Sequence, residues 1–181
     1  MTRSWLTAAL VVVSAAAFAC KPAAKDNGAE AFRPLDVGAE VPAYSAITLA
    51  GDTVHVGGGA GTPTVVNVWA TWCASCREEM AALDSLKSEF GARGVRVIGV
   101  SVDQGRIDKV RQYVESNRLG FSVSHDPAGD IQRLYKVVGV PATFVVGKDG
   151  HLVWRHTGNI AAILDEVRAS VRKAIADKTG P

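Results

Sequence analysis

The sequence predicts an α/β domain built on a mixed central sheet flanked by helices. Three observations carry this. Two near-continuous apolar runs, Thr64 to Ala70 and Val95 to Val102, have the character of strands buried on both faces. Helix-period runs alternate with them, as parallel crossovers require. A late pair of strand-like runs, Thr143 to Val146 and Leu152 to His156, flanks Lys148-Asp149-Gly150 as an antiparallel hairpin.

A leader precedes the domain. Arg3 supplies a positive start, and Leu6 to Ala19 is rich in Ala and Val. This stretch is shorter than the roughly 20 residues of a membrane span and fits an export signal over residues 1–19. It closes on Ala17-Phe18-Ala19-Cys20. Ala17 and Ala19 suit an ordinary signal peptidase and a soluble periplasmic product. A cysteine directly after a small residue suits lipoprotein processing, with Cys20 as the lipidated N-terminus. Lipidation is the favoured reading, because an exported cysteine left over from a pair is a liability. The match to a bacterial lipobox is imperfect: Ala17 stands where Leu is usual, and Phe18 is bulky. Residues 20–34 then read as a flexible tether without sustained apolar period. The domain proper occupies residues 35–181.

Within it, Val41 to Leu49 and Thr53 to Val56 are strand candidates around Gly51-Asp52, an N-terminal strand extension. Gly57 to Gly61 is a loop. No Lys-Ser/Thr pair follows, which argues against a phosphate cradle. After the Thr64–Ala70 strand comes Trp72-Cys73-Ala74-Ser75-Cys76, then a helix-like run from Arg77 to Phe90. Past Val95–Val102, the positions Ile107, Val110 and Val114 mark a helix, and Phe121 to Val123 a short strand. Ile131 to Tyr135 is a short helix after Asp126-Pro127. The last element is an amphipathic helix with Ile160, Ile163, Leu164, Val167, Val171 and Ile175 on one stripe. Hydrophobic residues make up 48% of the 181, ample for one core, and the net charge of +2 shows no nucleic-acid footprint.

The chemistry centres on Cys73 and Cys76. Two cysteines at this spacing, between a strand and a helix, are placed for reversible disulfide exchange. Cys73 sits at the exposed entrance of the helix, where unpaired N–H groups and the positive dipole end favour a thiolate nucleophile. Cys76 lies one turn further in and closes the disulfide. A structural zinc site would need two more ligands. The third cysteine is the distant Cys20, and His55, His125, His151 and His156 show no ligand spacing, so no metal is expected. A purely structural disulfide remains open, against the strain and easy reduction of so short a loop.

Taken together, the run from Val65 through Trp72-Cys73-Ala74-Ser75-Cys76 to Met80, and Val140-Pro141-Ala142-Thr143-Phe144, give a resemblance. The chain resembles the TlpA/ResA-like family of membrane-tethered bacterial thiol-disulfide oxidoreductases, of thioredoxin-like fold. The likeness runs from about Leu35 to about Lys178. It implies a helix–strand insertion at residues 104–125. The family often has Pro after the helix Met, where this chain has Ala81. Ordinary thioredoxins carry a buried Asp where this chain has Asn67, which cannot take up a proton. The family instead has a Glu three residues past the second cysteine, matching Glu79.

Helical geometry also turns Glu79 toward the core beside Cys76, Met80 and Leu83, and Glu78 to solvent. A carboxyl buried there should have a raised pKa and exchange a proton with Cys76. Its alternative is a helix-start Glu that satisfies the dipole. For Pro141, the general preference is trans, whereas the resemblance implies a cis bond facing the cysteines. That geometry would offer the backbone of Val140 to an extended substrate peptide. Trp72 is read as an apolar docking surface or as packing, and Trp69 as core.

The resulting expectation is an extracytoplasmic enzyme that reduces a disulfide in a partner protein without a cofactor. The resemblance implies a membrane thiol-disulfide electron donor, and partners in cytochrome c maturation or copper-site assembly. A Cu(I) metallochaperone using the same thiols is the rival; it is short of ligands, since only Met80 remains after processing. A peroxidase would want Thr where Ala70 stands.

Overall fold

The computed structural model describes residues 33–176. The expected export signal, Cys20 and the tether up to residue 32 lie outside the described residues. The first described strands, β1 (Tyr44–Ile47) and β2 (Thr53–Val56), pair antiparallel. The main sheet holds β3 (Thr64–Trp69), β4 (Arg96–Ser101), β5 (Ser122–His125), β6 (Ala142–Val146) and β7 (Leu152–Thr157). Their order is β5-β4-β3-β6-β7. β3 is central and all six of its residues are buried, as its unbroken apolar run requires. β4 pairs parallel to β3 and β5 parallel to β4, while β6 and β7 add antiparallel.

Among the described residues, five α-helices flank the sheets: α1 (Ala74–Glu78), α2 (Met80–Phe90), α3 (Asp108–Asn117), α4 (Asp130–Leu134) and α5 (Leu164–Ala176). The insertion at residues 104–125 supplies α3 and β5. The core is continuous from Val41 to Ala174 and includes Trp69, Leu83, Phe90, Ile98, Ile131 and Leu152. Among the described residues, no helix is long and apolar enough to cross a membrane.

Four expectations need correction. The Val41–Leu49 strand contracts to β1, because Val41 N–H turns aside to donate to Gly150 O and Thr48 N–H closes the turn onto Asp52 O. The strand expected at Phe121–Val123 starts one residue later and runs on to His125. The expected single helix from Arg77 to Phe90 is divided at Glu79, where φ −92° and ψ −3° break the ladder. The final helix begins only at Leu164, after a 3₁₀ turn at Ala161–Ile163, so Ile160 and Ile163 do not share its stripe. Its buried positions are Val167, Ser170, Val171 and Ala174.

The glycine loop after β2 has a packing role. Gly150, at φ +86° in the β6–β7 turn, lies so close that a Cβ would come within 2.4 Å of Gly59 N. The N-terminal segment is also stitched to the main sheet: Leu49 N–H donates to Val123 O at 2.7 Å, and Thr48 bridges Ser124.

Candidate active site

The end of β3 delivers the chain to the site. Ala70 is buried, Thr71 turns, and Cys73 becomes the N-cap of α1 in an extended conformation. Cys73 and Cys76 form a disulfide with Cα atoms 5.2 Å apart. The backbone N–H of Cys76 donates to Cys73 Sγ at 3.2 Å, and Ser75 Oγ lies 3.5 Å from the same sulfur. Cys76 is fully buried. Cys73 is 7% exposed, less open than its place at a helix start suggests. The disulfide, Ser75 and the Val140 loop all cover it; the Val140 carbonyl oxygen lies 3.8 Å from Cys73 Sγ. The Val140–Pro141 bond is cis, as the resemblance implies. The apolar surface at this edge is Trp72, 66% exposed.

Glu79 occupies the break between α1 and α2 with no exposed surface. Its Oε1 accepts from Asn67 Nδ2 at 2.8 Å and its Oε2 from Ile160 N–H at 2.7 Å. Asn67 also donates to Thr143 Oγ1 at 2.9 Å, across the β3–β6 register that sets these two residues opposite each other. Burial pushes the Glu79 carboxyl up to about 7, although the bonds from Ile160 and Asn67 pull the other way. Glu78 is exposed and bonds Asn159 at the surface. The structure therefore brings Glu79 and Cys76 into one buried turn, while the carboxylate oxygens bond Asn67 and Ile160.

Sequence reading missed Asp103. Its carboxylate is buried and accepts from Thr71 N–H at 2.9 Å, Thr71 Oγ at 2.5 Å and Ser101 Oγ at 2.7 Å. The signal was the strand register. Trp69 pairs with Ser101 in a parallel ladder, so two residues further on Thr71 meets Asp103. Among the described residues, no group of three or more His, Cys, Asp or Glu is placed to hold a metal ion.

A thioredoxin-like sheet, with a Cys-x-x-Cys disulfide between central strand and helix and a cis-proline against it, defines a thiol-disulfide oxidoreductase of the thioredoxin superfamily. Such an enzyme has a disulfide-containing partner. The chain belongs to the AhpC/TSA family, whose model matches residues 37–155, and within the superfamily it is ResA-like. It is 30% identical over 147 residues to the thiol-disulfide oxidoreductase ResA of Oceanobacillus iheyensis, covering 79% of this chain and 74% of that one. To the ResA of Bacillus thuringiensis it is 29% identical over 119 residues, 66% of this chain and 68% of the other. Among solved structures, the thioredoxin domain of a thiol-disulfide oxidoreductase from Bacteroides vulgatus superposes with a TM-score of 0.66. The identity is 25%, covering 76% of this chain and 99% of that one.

Proposed function

We propose that this protein is an extracytoplasmic reductant of a partner protein's disulfide, held at the periplasmic face of a bacterial membrane by a lipid on Cys20. The observation that carries the reading is the Cys73–Cys76 disulfide with the Val140 carbonyl against Cys73 Sγ and the exposed Trp72 next to it in the chain. In the reduced protein, the Cys73 thiolate attacks one sulfur of the partner's disulfide, and the partner's other sulfur leaves as a thiolate. Cys76 then attacks Cys73 and expels the second partner sulfur. Two electrons pass to the partner, and the Cys73–Cys76 bond re-forms. The N–H of Cys76 supports the Cys73 thiolate directly. This local bond matters more than the dipole of a long helix, because α1 has only five residues. Glu79 serves as the proton store for Cys76, being poised near neutrality within the same buried turn. Trp72, Val140 and Pro141 receive the partner chain.

Electrons return from a membrane donor of the thiol-disulfide type. The partner belongs to the class whose cysteines must be reduced before haem attachment or copper loading. Trapping tests the reading. Cys76→Ser expressed in the source cell should accumulate a mixed disulfide through Cys73 that names the partner. A purified protein inert toward a model protein disulfide, with a Cys73 alkylation pKa like free cysteine, would end it. Labelling with a palmitate analogue tests Cys20; absence of label on the wild type leaves a soluble periplasmic protein instead.

A further inference from the structure

A cleft of about 470 Å³ opens beside the disulfide, lined by Trp72, Val102, Gln104, Gln132, Gly139 and Val140. It is continuous with the reacting edge, since Trp72 adjoins Cys73 and Val140 faces its sulfur. Its lining carries no ionisable side chain. The polar groups are two amides from different elements: Gln104 on the loop after β4, exposed, and Gln132 on α4, half-buried. Neither side chain bonds another group among the described residues. An amide offers a donor and an acceptor together, the complement of a peptide unit. A charged residue seated here would meet no counter-charge from the lining.

The Trp72 and Gln104 sides of the cleft are tied together by Asp103. Its carboxylate holds the Thr71 N–H and hydroxyl, immediately before Trp72, while its own chain position is immediately before Gln104. Arg77 Nη1 donates to the Thr71 carbonyl from the other side at 3.0 Å, and Val102 N–H donates to Trp69 O at 2.9 Å. The Thr71 peptide is thus gripped at both its N–H and its C=O.

We propose that two residues outside the reacting pair, Gln104 and Gln132, set which partner chains this cleft accepts. The cleft takes an extended, uncharged stretch of partner chain beside the partner's disulfide, with Gln104 and Gln132 reading its backbone. Asp103 is the positioning residue that fixes Trp72 relative to Gln104. This inference rests on the thiol-disulfide reading above and adds what the partner must look like near its cysteines.

The test uses the reduced full-length protein and two kinds of oxidant. One is a small aromatic disulfide, which needs the Cys73–Cys76 pair but not the cleft. The other is a pair of disulfide-bridged peptides, identical except that the residues beside one cysteine are Ala, Ser and Val in one and Glu and Lys in the other. The wild type should prefer the uncharged peptide by about tenfold. The double variant Gln104→Ala/Gln132→Ala should lower the ratio of peptide rate to small-disulfide rate about fivefold, the effect of roughly one hydrogen bond. Asp103→Ala should lower that ratio about tenfold. Asp103→Asn should restore most of it, since an amide can still accept from Thr71 N–H and meet the rotatable hydroxyl. Equal rates for the two peptides, or ratios unchanged in the variants, would overturn the proposal. Failure of Asp103→Asn to restore the ratio would overturn the positioning role. A wild type that cannot reduce even the small disulfide would refute the thiol-disulfide reading, and this inference with it.

Discussion

Burial raises the Glu79 carboxyl from its ordinary 4.5 to about 7, so the folded chain keeps a proton that the unfolded chain releases. Stability therefore falls as pH rises from about 4.5 to about 7 and levels off above, by up to about 3 kcal/mol from this one group. Glu79→Gln should flatten that slope, because the amide does not titrate. Urea midpoints of the oxidised protein across this pH range would show it, and an unchanged slope in the variant would count against Glu79 as its source. The same substitution should also slow release of a trapped partner and remove its dependence on pH near 7. The inward turn of Glu79 was legible from helical spacing alone. Its surroundings were not: Asn67 and Ile160, which bond its carboxylate, and Thr143, which bonds Asn67, come from three distant segments, and only the β3–β6 register and the close of the β7–α5 loop bring them together.

At the scale of elements, the break between α1 and α2 stands out because no proline causes it. The apolar spacing of Arg77 to Phe90 reads as one helix, since periodicity registers which residues face inward and is blind to a single misplaced backbone angle. The break coincides with Glu79, whose carboxylate reaches the Ile160 N–H. Ala82 N–H and Leu83 N–H both bond Glu79 O, so α2 starts afresh there. Ala81 is exposed in its first turn. Ala81→Pro should therefore cost no more than about 1 kcal/mol, whereas Lys87→Pro, in the last turn of the same helix, should cost about 3 kcal/mol or more. Chemical denaturation of the two variants decides; comparable losses would mean that the helix is continuous in solution. The strands were easier to read. Their apolar runs located all five strands of the main sheet to within a residue or two, and the hairpin turn at Lys148-Asp149-Gly150 gave β6 and β7 their direction.

For the whole molecule, the N-terminal segment is part of the core. Val41, Tyr44, Val54 and Val56 are all buried. At about 1.5–3 kcal/mol for each such side chain, their removal approaches the roughly 5–15 kcal/mol that holds a domain together. A chain beginning at residue 57 should lose its cooperative thermal transition by circular dichroism; a transition close to that of the intact protein would show the segment to be an appendage.

The same segment closes one rim of the main sheet. Thr48 and Leu49 take up backbone groups of Ser124 and Val123 on β5, and the opposite rim, β7, carries Arg155 and His156. Neither side is a bare, flat apolar strand of the sort that templates fibres. Neither rim should therefore seed fibre growth in concentrated solution, which thioflavin fluorescence would check.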